Sequence, residues 1–271
     1  MTKRIILLLI ACISNTMIHA QNDKAKDKFT LIGKIIGQSN GLISLTYRNK
    51  NGEGIKDTVK LKNGVFLFTG LINEPTHATL YIIEKHVRND PNIADLFLEP
   101  GKLKGTFIKG DFIHAKITGS QTEQEKEELI NEKSPVLINE NTVLPELAKL
   151  NNVNIDSADK IAKENLQKKI TIAYHKLDSY REDEKKIDYA FMLSHPNSCV
   201  NPYLILPYAQ KMTLDSLKMF YNKWSSNVQD TWYGRVVKNI IQKAETNMVG
   251  KMAPDFKTKD LADKDVVLSF F

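Results

Sequence analysis

Two cysteines and six histidines bound the thiol and metal chemistry open to this 271-residue chain. Cys12 lies inside an apolar N-terminal run, so Cys199 is the one thiol expected in a mature chain. A single thiol forms no internal disulfide. The sequence also lacks Cys-x-x-Cys, so it holds no dithiol for exchange chemistry. Cys199 follows a Pro196-Asn197-Ser198 turn and precedes a helical pattern, a place that can lower a thiol pKa, with His195 as the nearest base in sequence. Without that activation a free cysteine packs as a small hydrophobe, and this is the expected role of Cys199. His19, His77, His86, His114, His175 and His195 show no metal-ligand spacing with one another, with Cys or with a close carboxylate. No Gly-rich phosphate loop and no Gly-x-Ser-x-Gly occurs. The residues therefore predict no catalytic, cofactor-binding or metal site. Glu99 before Pro100-Gly101 reads as part of a turn. Glu123, Glu125, Glu127 and Glu128 read as an acidic helix start that complements the helix dipole. Trp224, Trp232 and Tyr233 read as core aromatics rather than a partner surface.

The N-terminus has the layout of a secretory leader over residues 1–20. Lys3 and Arg4 precede the apolar run from Ile5 to Cys12, and Ile18-His19-Ala20 places a small residue just before Gln21. The run is too short to span a bilayer, which takes about 20 residues. Two maturation routes fit: cleavage after Ala20 with release, which the spacing favours, or acylation at Cys12, because Leu9-Ile10-Ala11-Cys12 also fits a lipobox. The expected location is the periplasm or envelope, free or held by lipid at Cys12. Removing the leader leaves 36 Lys and Arg against 32 Asp and Glu, a net charge of about +4. Basic and acidic residues alternate, as from Arg181 to Lys186, so nucleic-acid binding is not expected.

The elements that would position any site fall into three blocks. Residues 28–119 alternate apolar and polar residues in short runs, predicting strands near 29–37, 41–48, 56–62, 65–70, 77–84, 94–99, 102–109 and 112–118. Lys62-Asn63-Gly64-Val65 is a strong hairpin pattern, and Asn51-Gly52-Glu53-Gly54 and Glu99-Pro100-Gly101 mark further turns. The expected fold of this block is an all-β sandwich or a partly open barrel. Residues 120–248 read as all-α. Ser120-Gln121-Thr122-Glu123 is a capping box that starts a helix to about Lys133, residues 134–145 with Pro135 and Pro145 read as a loop, and a short helix is expected near 145–151. Asp156 or Ser157 is the expected cap of a long helix to about Ser194, with an apolar stripe at Ile161, Leu166, Ile170, Ala173, Leu177 and Tyr180. Helices near 202–210, 213–224 and 228–247 follow the His195-Pro196-Asn197-Ser198 turn, with Thr213 as a cap. Residues 249–271 return to extended character. The whole is an α+β chain.

The order of these parts resembles an exported family of Gram-negative envelope proteins. They carry an N-terminal β-rich domain of unknown function, a helical insert, and a thioredoxin-like domain of the TlpA or AhpC/TSA type. The similar segments are Phe29-Thr30-Leu31-Ile32-Gly33-Lys34-Ile35, Asn63-Gly64-Val65-Phe66-Leu67-Phe68-Thr69-Gly70, Leu98-Glu99-Pro100-Gly101, Ile117-Thr118-Gly119-Ser120, and the turn at His195. Gly250-Lys251-Met252-Ala253-Pro254-Asp255-Phe256 resembles the entry to the thioredoxin-like domain. The resemblance implies that the strand at Val266 to Phe271 would run on into Trp-Cys-x-x-Cys. That segment is absent from this sequence, so the thioredoxin-like domain is expected to be incomplete and no catalytic residue carries over. The chain is then expected to be an inactive member of a thiol–disulfide oxidoreductase family. The alternative is a non-catalytic envelope protein that uses its β domain to hold a partner protein or a small ligand.

Overall fold

The computed structural model describes residues 27–84, 90–154, 159–246, 257–260 and 262–267. The expected leader with Cys12 and His19, the expected caps at Asp156 and Ser157, His86, and residues 247–256 and 268–271 lie outside the described residues. By its internal contacts the chain divides into two units, residues 1–191 and 192–271.

The first unit begins with eight strands, each within two residues of its expected bounds. These are β1 (Lys28–Ile36), β2 (Leu42–Arg48), β3 (Gly54–Lys60), β4 (Val65–Leu71), β5 (Thr76–Ile82), β6 (Ile93–Leu98), β7 (Gly101–Ile108) and β8 (Asp111–Thr118). They form two four-stranded sheets of order β4-β1-β7-β8 and β3-β2-β5-β6. The sheets stay separately hydrogen-bonded, so this is a sandwich and not a partly open barrel. All pairings are antiparallel except β1 with β7. Strict alternation builds the core: Phe29, Leu31 and Ile35 of β1, Ile43 and Leu45 of β2, Phe66 and Phe68 of β4, and Leu103 and Phe107 of β7 all point between the sheets and are buried. Gly33 is an inward position of β1 directly opposite Phe66, whose ring lies flat on it. A Cβ at Gly33 would stand 1.9 Å from Phe66 Cζ, so the close approach requires glycine.

The Asn63-Gly64 turn has both central residues at positive φ, 53° and 76°, with Lys62 and Val65 exchanging backbone hydrogen bonds at 3.0 Å. Its local geometry is the expected one, but its strands do not pair. β3 joins β2 and β4 joins β1, so the turn is a crossover between the two sheets. Anchoring by neighbours accounts for this: Gly64 N–H donates to Ser39 O (2.8 Å) and Ile35 N–H donates to Gly64 O (2.7 Å).

Two long helices complete this unit, α1 (Gln121–Asn151) and α2 (Lys160–Ser194). The expected loop over residues 134–145 is instead continuous helix that includes Pro135 and Pro145. Each proline removes a backbone donor and crowds the preceding turn. Packing along one face outweighs this. Val143 and Leu147 meet Ala173 and Leu177, with Leu150, Ile170 and Tyr180 around them. Lys133 Nζ lies 2.7 Å from Asp188 Oδ1, and Arg181 Nε lies 3.6 Å from Glu140 Oε1. Seven residues forward on α1, from Lys133 to Glu140, match seven back on α2, from Asp188 to Arg181. That is the register of an antiparallel helical hairpin. Ile161 departs from the expected stripe and is exposed. The start of α2 is tied by Asp159, whose carboxylate accepts from Ala162 N–H (2.9 Å).

The second unit holds α3 (Asn201–Ala209), α4 (Leu214–Lys223), α5 (Ser226–Gln229) and α6 (Trp232–Thr246). Thr213 caps α4 as expected, accepting from Ser216 N–H at 3.2 Å. Ile205, Leu217, Phe220, Trp224, Val228, Val237 and Ile241 are buried. Strands β9 (Lys257–Lys259) and β10 (Asp265–Val267) pair antiparallel. Among the described residues no helix is long and apolar enough to cross a membrane.

Candidate functional site

A cluster of ionisable side chains lies where α1 starts against β6. Edge strand β6 pairs with β5 alone, so its outer backbone groups need partners from elsewhere. Glu123 supplies one. Its carboxylate is buried and accepts from Phe97 N–H at Oε2 (2.7 Å), while Oε1 lies 2.6 Å from Lys126 Nζ. Lys126 in turn donates to the carbonyl oxygen of Asp95 at 2.5 Å. Ser120 Oγ accepts from Glu123 N–H (3.0 Å), as the capping box requires. The reciprocal half of that box is diverted: the Glu123 side chain reaches across to the sheet. Glu99 takes over at the helix start, accepting from Thr122 N–H (2.7 Å) and Gln121 N–H (3.2 Å). Its role is therefore helix capping and not the turn expected from its sequence position.

Asp95 extends the cluster onto the outer face of the second sheet. Its Oδ1 accepts from Thr79 Oγ1 (2.8 Å) and lies 3.4 Å from His77 Nε2. The His77 contact, seconded by Thr79, holds the Asp95 carboxyl below the ordinary carboxylate value against an opposing effect of burial. The His77 ring packs edge-on against Phe97. One register step away Tyr81 has its pKa lowered, chiefly by its hydrogen bond with Ser44, and Lys56 Nζ stands over the Tyr81 ring. A cleft of about 210 Å³ adjoins this corner, lined by apolar residues such as Ala94, Ile113 and Ile130 and by polar ones such as Asp95, Lys126 and Glu127.

Nearly all the acids and bases of the corner are spent on one another or on backbone donors. That is the chemistry of a latch joining a helix to a sheet edge, with a small cleft of mixed lining beside it. Residues 29–125 match a family model described as Domain of unknown function (DUF4369). No curated protein and no solved structure matches the chain. The matched region runs past the last strand of the sandwich to Glu125. It thereby includes Glu99, Ser120 and Glu123, the residues that fasten α1 to the β6 edge. A domain ending at Thr118 would leave the Phe97 N–H without its acceptor.

The other residues singled out in the sequence are dispersed. Cys199 is half-buried in the corner between α2 and α3. That corner is tied by Ser198 N–H and Asn201 Nδ2 donating to His195 O, and by Ser225 N–H donating to Pro196 O. His195 Nδ1 lies 2.9 Å from Ser194 Oγ. Trp224 is buried, and Trp232 packs edge-on against Tyr233. Among the described residues no three His, Cys, Asp or Glu side chains come together as a metal site would need. The Glu99 and Glu123 contacts were not deducible from spacing, because each carboxylate acts on a strand or helix distant in sequence. The acidic residues at the helix start were the available signal, and it concerned the dipole alone.

Proposed function

We propose that this chain belongs to an exported thioredoxin-like thiol–disulfide oxidoreductase family of the TlpA or AhpC/TSA type and is inactive in dithiol exchange as given. In this reading the sandwich engages a partner in the envelope, and residues 249–271 are the opening of the thioredoxin-like domain. The observation that carries it is the element order. A two-sheet sandwich is followed by helices and then by the antiparallel pair β9–β10, as in the family it resembles. The chain as it stands has one cysteine outside the N-terminal run and no Cys-x-x-Cys, so it is assigned no dithiol turnover.

Two measurements test this. The purified chain should give no insulin reduction and no thiol oxidation above buffer, and sustained turnover would overturn the non-catalytic assignment. The coding DNA beyond Phe271 should encode Trp-Cys-x-x-Cys in some phase. Its absence would remove the redox family and leave a free-standing envelope interaction protein.

A further inference from the structure

We propose that the outward face of the β4-β1-β7-β8 sheet docks on an anionic lipid surface. A solvated sheet face normally carries polar residues at its outward positions. Here Ile32, Ile36, Val65, Leu67, Leu71 and Ile108 are all outward and between 40% and 52% exposed. Ile32 stands directly opposite Leu67 across β1–β4, and Ile36 is beside Ile108 across β1–β7. The aliphatics therefore form a connected patch of the kind that marks an interaction surface.

The charge on this face has one sign. Lys28, Lys34, Lys102, Lys104 and Lys116 occupy outward positions of β1, β7 and β8 and are exposed. None of the five makes an ion pair or side-chain hydrogen bond within the described residues. The remaining outward positions hold threonines such as Thr30, Thr69, Thr106 and Thr118. Carboxylates at the margin are engaged by other cations: Asp111 by His114 Nδ1 at 2.5 Å, Glu84 by Lys109 Nζ at 3.2 Å and Asp27 by Lys50 Nζ at 3.8 Å. The opposite face of the sandwich also carries cations, Arg48, Lys56 and Lys60, and the exposed aliphatics Leu42 and Ile93, but there Asp95 and His77 lie among them, Arg48 donates to Gly52 O and Lys56 stands over the Tyr81 ring.

Charge complementarity selects an anionic partner, and the layout selects a lipid surface over an acidic protein. The lysines are point charges spread over three adjacent strands, about 10 Å across at the usual strand spacing. The cleft beside α1 meets this sheet at β8, where Lys116 is among its lining residues, whereas Lys28, Lys34, Lys102 and Lys104 line neither that cleft nor the one along α6. A spread of unpaired cations among half-exposed aliphatics matches negative headgroups above an apolar layer, where each basic residue adds to binding. This inference does not depend on the redox-family reading.

The test is flotation of the full chain with vesicles of phosphatidylglycerol and phosphatidylethanolamine, against phosphatidylcholine vesicles, at low and high salt. Any binding by the N-terminal apolar run is common to all variants and insensitive to salt. The salt-sensitive part should appear on the anionic vesicles only. It should fall by roughly twenty-five-fold in Lys34→Gln/Lys104→Gln, at about fivefold per lysine, and drop again in Ile32→Ser/Leu67→Ser. Lys56→Gln/Lys60→Gln, on the other sheet, should bind as the parent does. Unfolding midpoints equal to the parent's will show that the exposed-site variants fold. Binding that ignores the Lys34/Lys104 change, or is as strong on neutral vesicles, overturns the proposal. Retention on polyglutamate without binding to anionic vesicles assigns the face to an acidic protein and overturns it. Saturation by inorganic phosphate at millimolar levels assigns it to a free anion and does the same.

Discussion

The Glu123 carboxylate is 6% exposed, yet it accepts from Phe97 N–H and pairs with Lys126. Glu123→Ala should leave that edge-strand donor buried without an acceptor and Lys126 without its counterion. Loss of a buried charge-assisted hydrogen bond costs about 1.5–3 kcal/mol, readable as a lower urea midpoint. A midpoint unchanged from the parent would show that water or another side chain serves Phe97 equally well. Asp95 offers a pH readout at the same corner. Its folded pKa is lowered, so its contribution is complete above the unfolded carboxylate value of about 3.9. It is lost as pH falls through the lower folded value. His77→Leu removes the main cause, and the Asp95 carboxyl, followed by NMR titration, should then move up toward the ordinary value. Spacing rules reach the Ser120 cap because it is local. They do not reach the carboxylates of Glu99 and Glu123, whose partners are set by the packing of helix on sheet.

At the scale of elements, the eight strands were legible because period-two alternation is imposed by the sandwich itself. The Asn63-Gly64 turn was legible in its dihedral angles and not in its pairing, since a tight turn does not say which sheet receives each flanking strand. Helix α1 was misread because Pro135 and Pro145 are local breakers, whereas the seam that holds the helix is shared with α2. That seam contains a nearly fully buried ion: Asp188 is 1% exposed and is met by Lys133. Lys133→Ala should therefore be destabilising, by at most about 3–5 kcal/mol, the range for removing one partner of a buried pair. Lys133→Met/Asp188→Leu should recover most or all of it. If the single variant costs no more than an exposed pair would, other contacts serve Asp188 and the seam is held chiefly by its apolar residues. Nearby Glu184 points the other way. Burial, with Glu140 and Asp188 adding to it and Lys133 opposing, raises its pKa. Its charge is thus unfavourable at neutral pH, and the penalty fades as pH falls through the raised folded value toward the unfolded one. Glu184→Gln should be neutral to slightly stabilising at pH 7, and its advantage should shrink in acid.

Over the whole molecule, the sequence divides its aromatic reporters unevenly between the two units. Both tryptophans of the chain, Trp224 and Trp232, belong to the second unit, which has its own buried set around Phe220, Val228 and Val237. The sandwich has a separate aromatic core built on Phe29, Phe66, Phe68, Phe107 and Phe112. Two cores with no shared residues favour two unfolding steps, although α2 runs across the boundary at Phe191 and Met192 and could couple them. A perturbation confined to the first core separates these outcomes. Gly33→Val drives a side chain into the Phe66 ring, and overpacking of this kind typically costs about 1–3 kcal/mol. With independent cores, hydrogen exchange in peptides from β1 and β4 should accelerate and their urea midpoint should fall. The tryptophan emission transition should keep the parent midpoint. If that transition moves by the same amount, α2 carries the coupling, and the chain unfolds as one cooperative body despite its two cores.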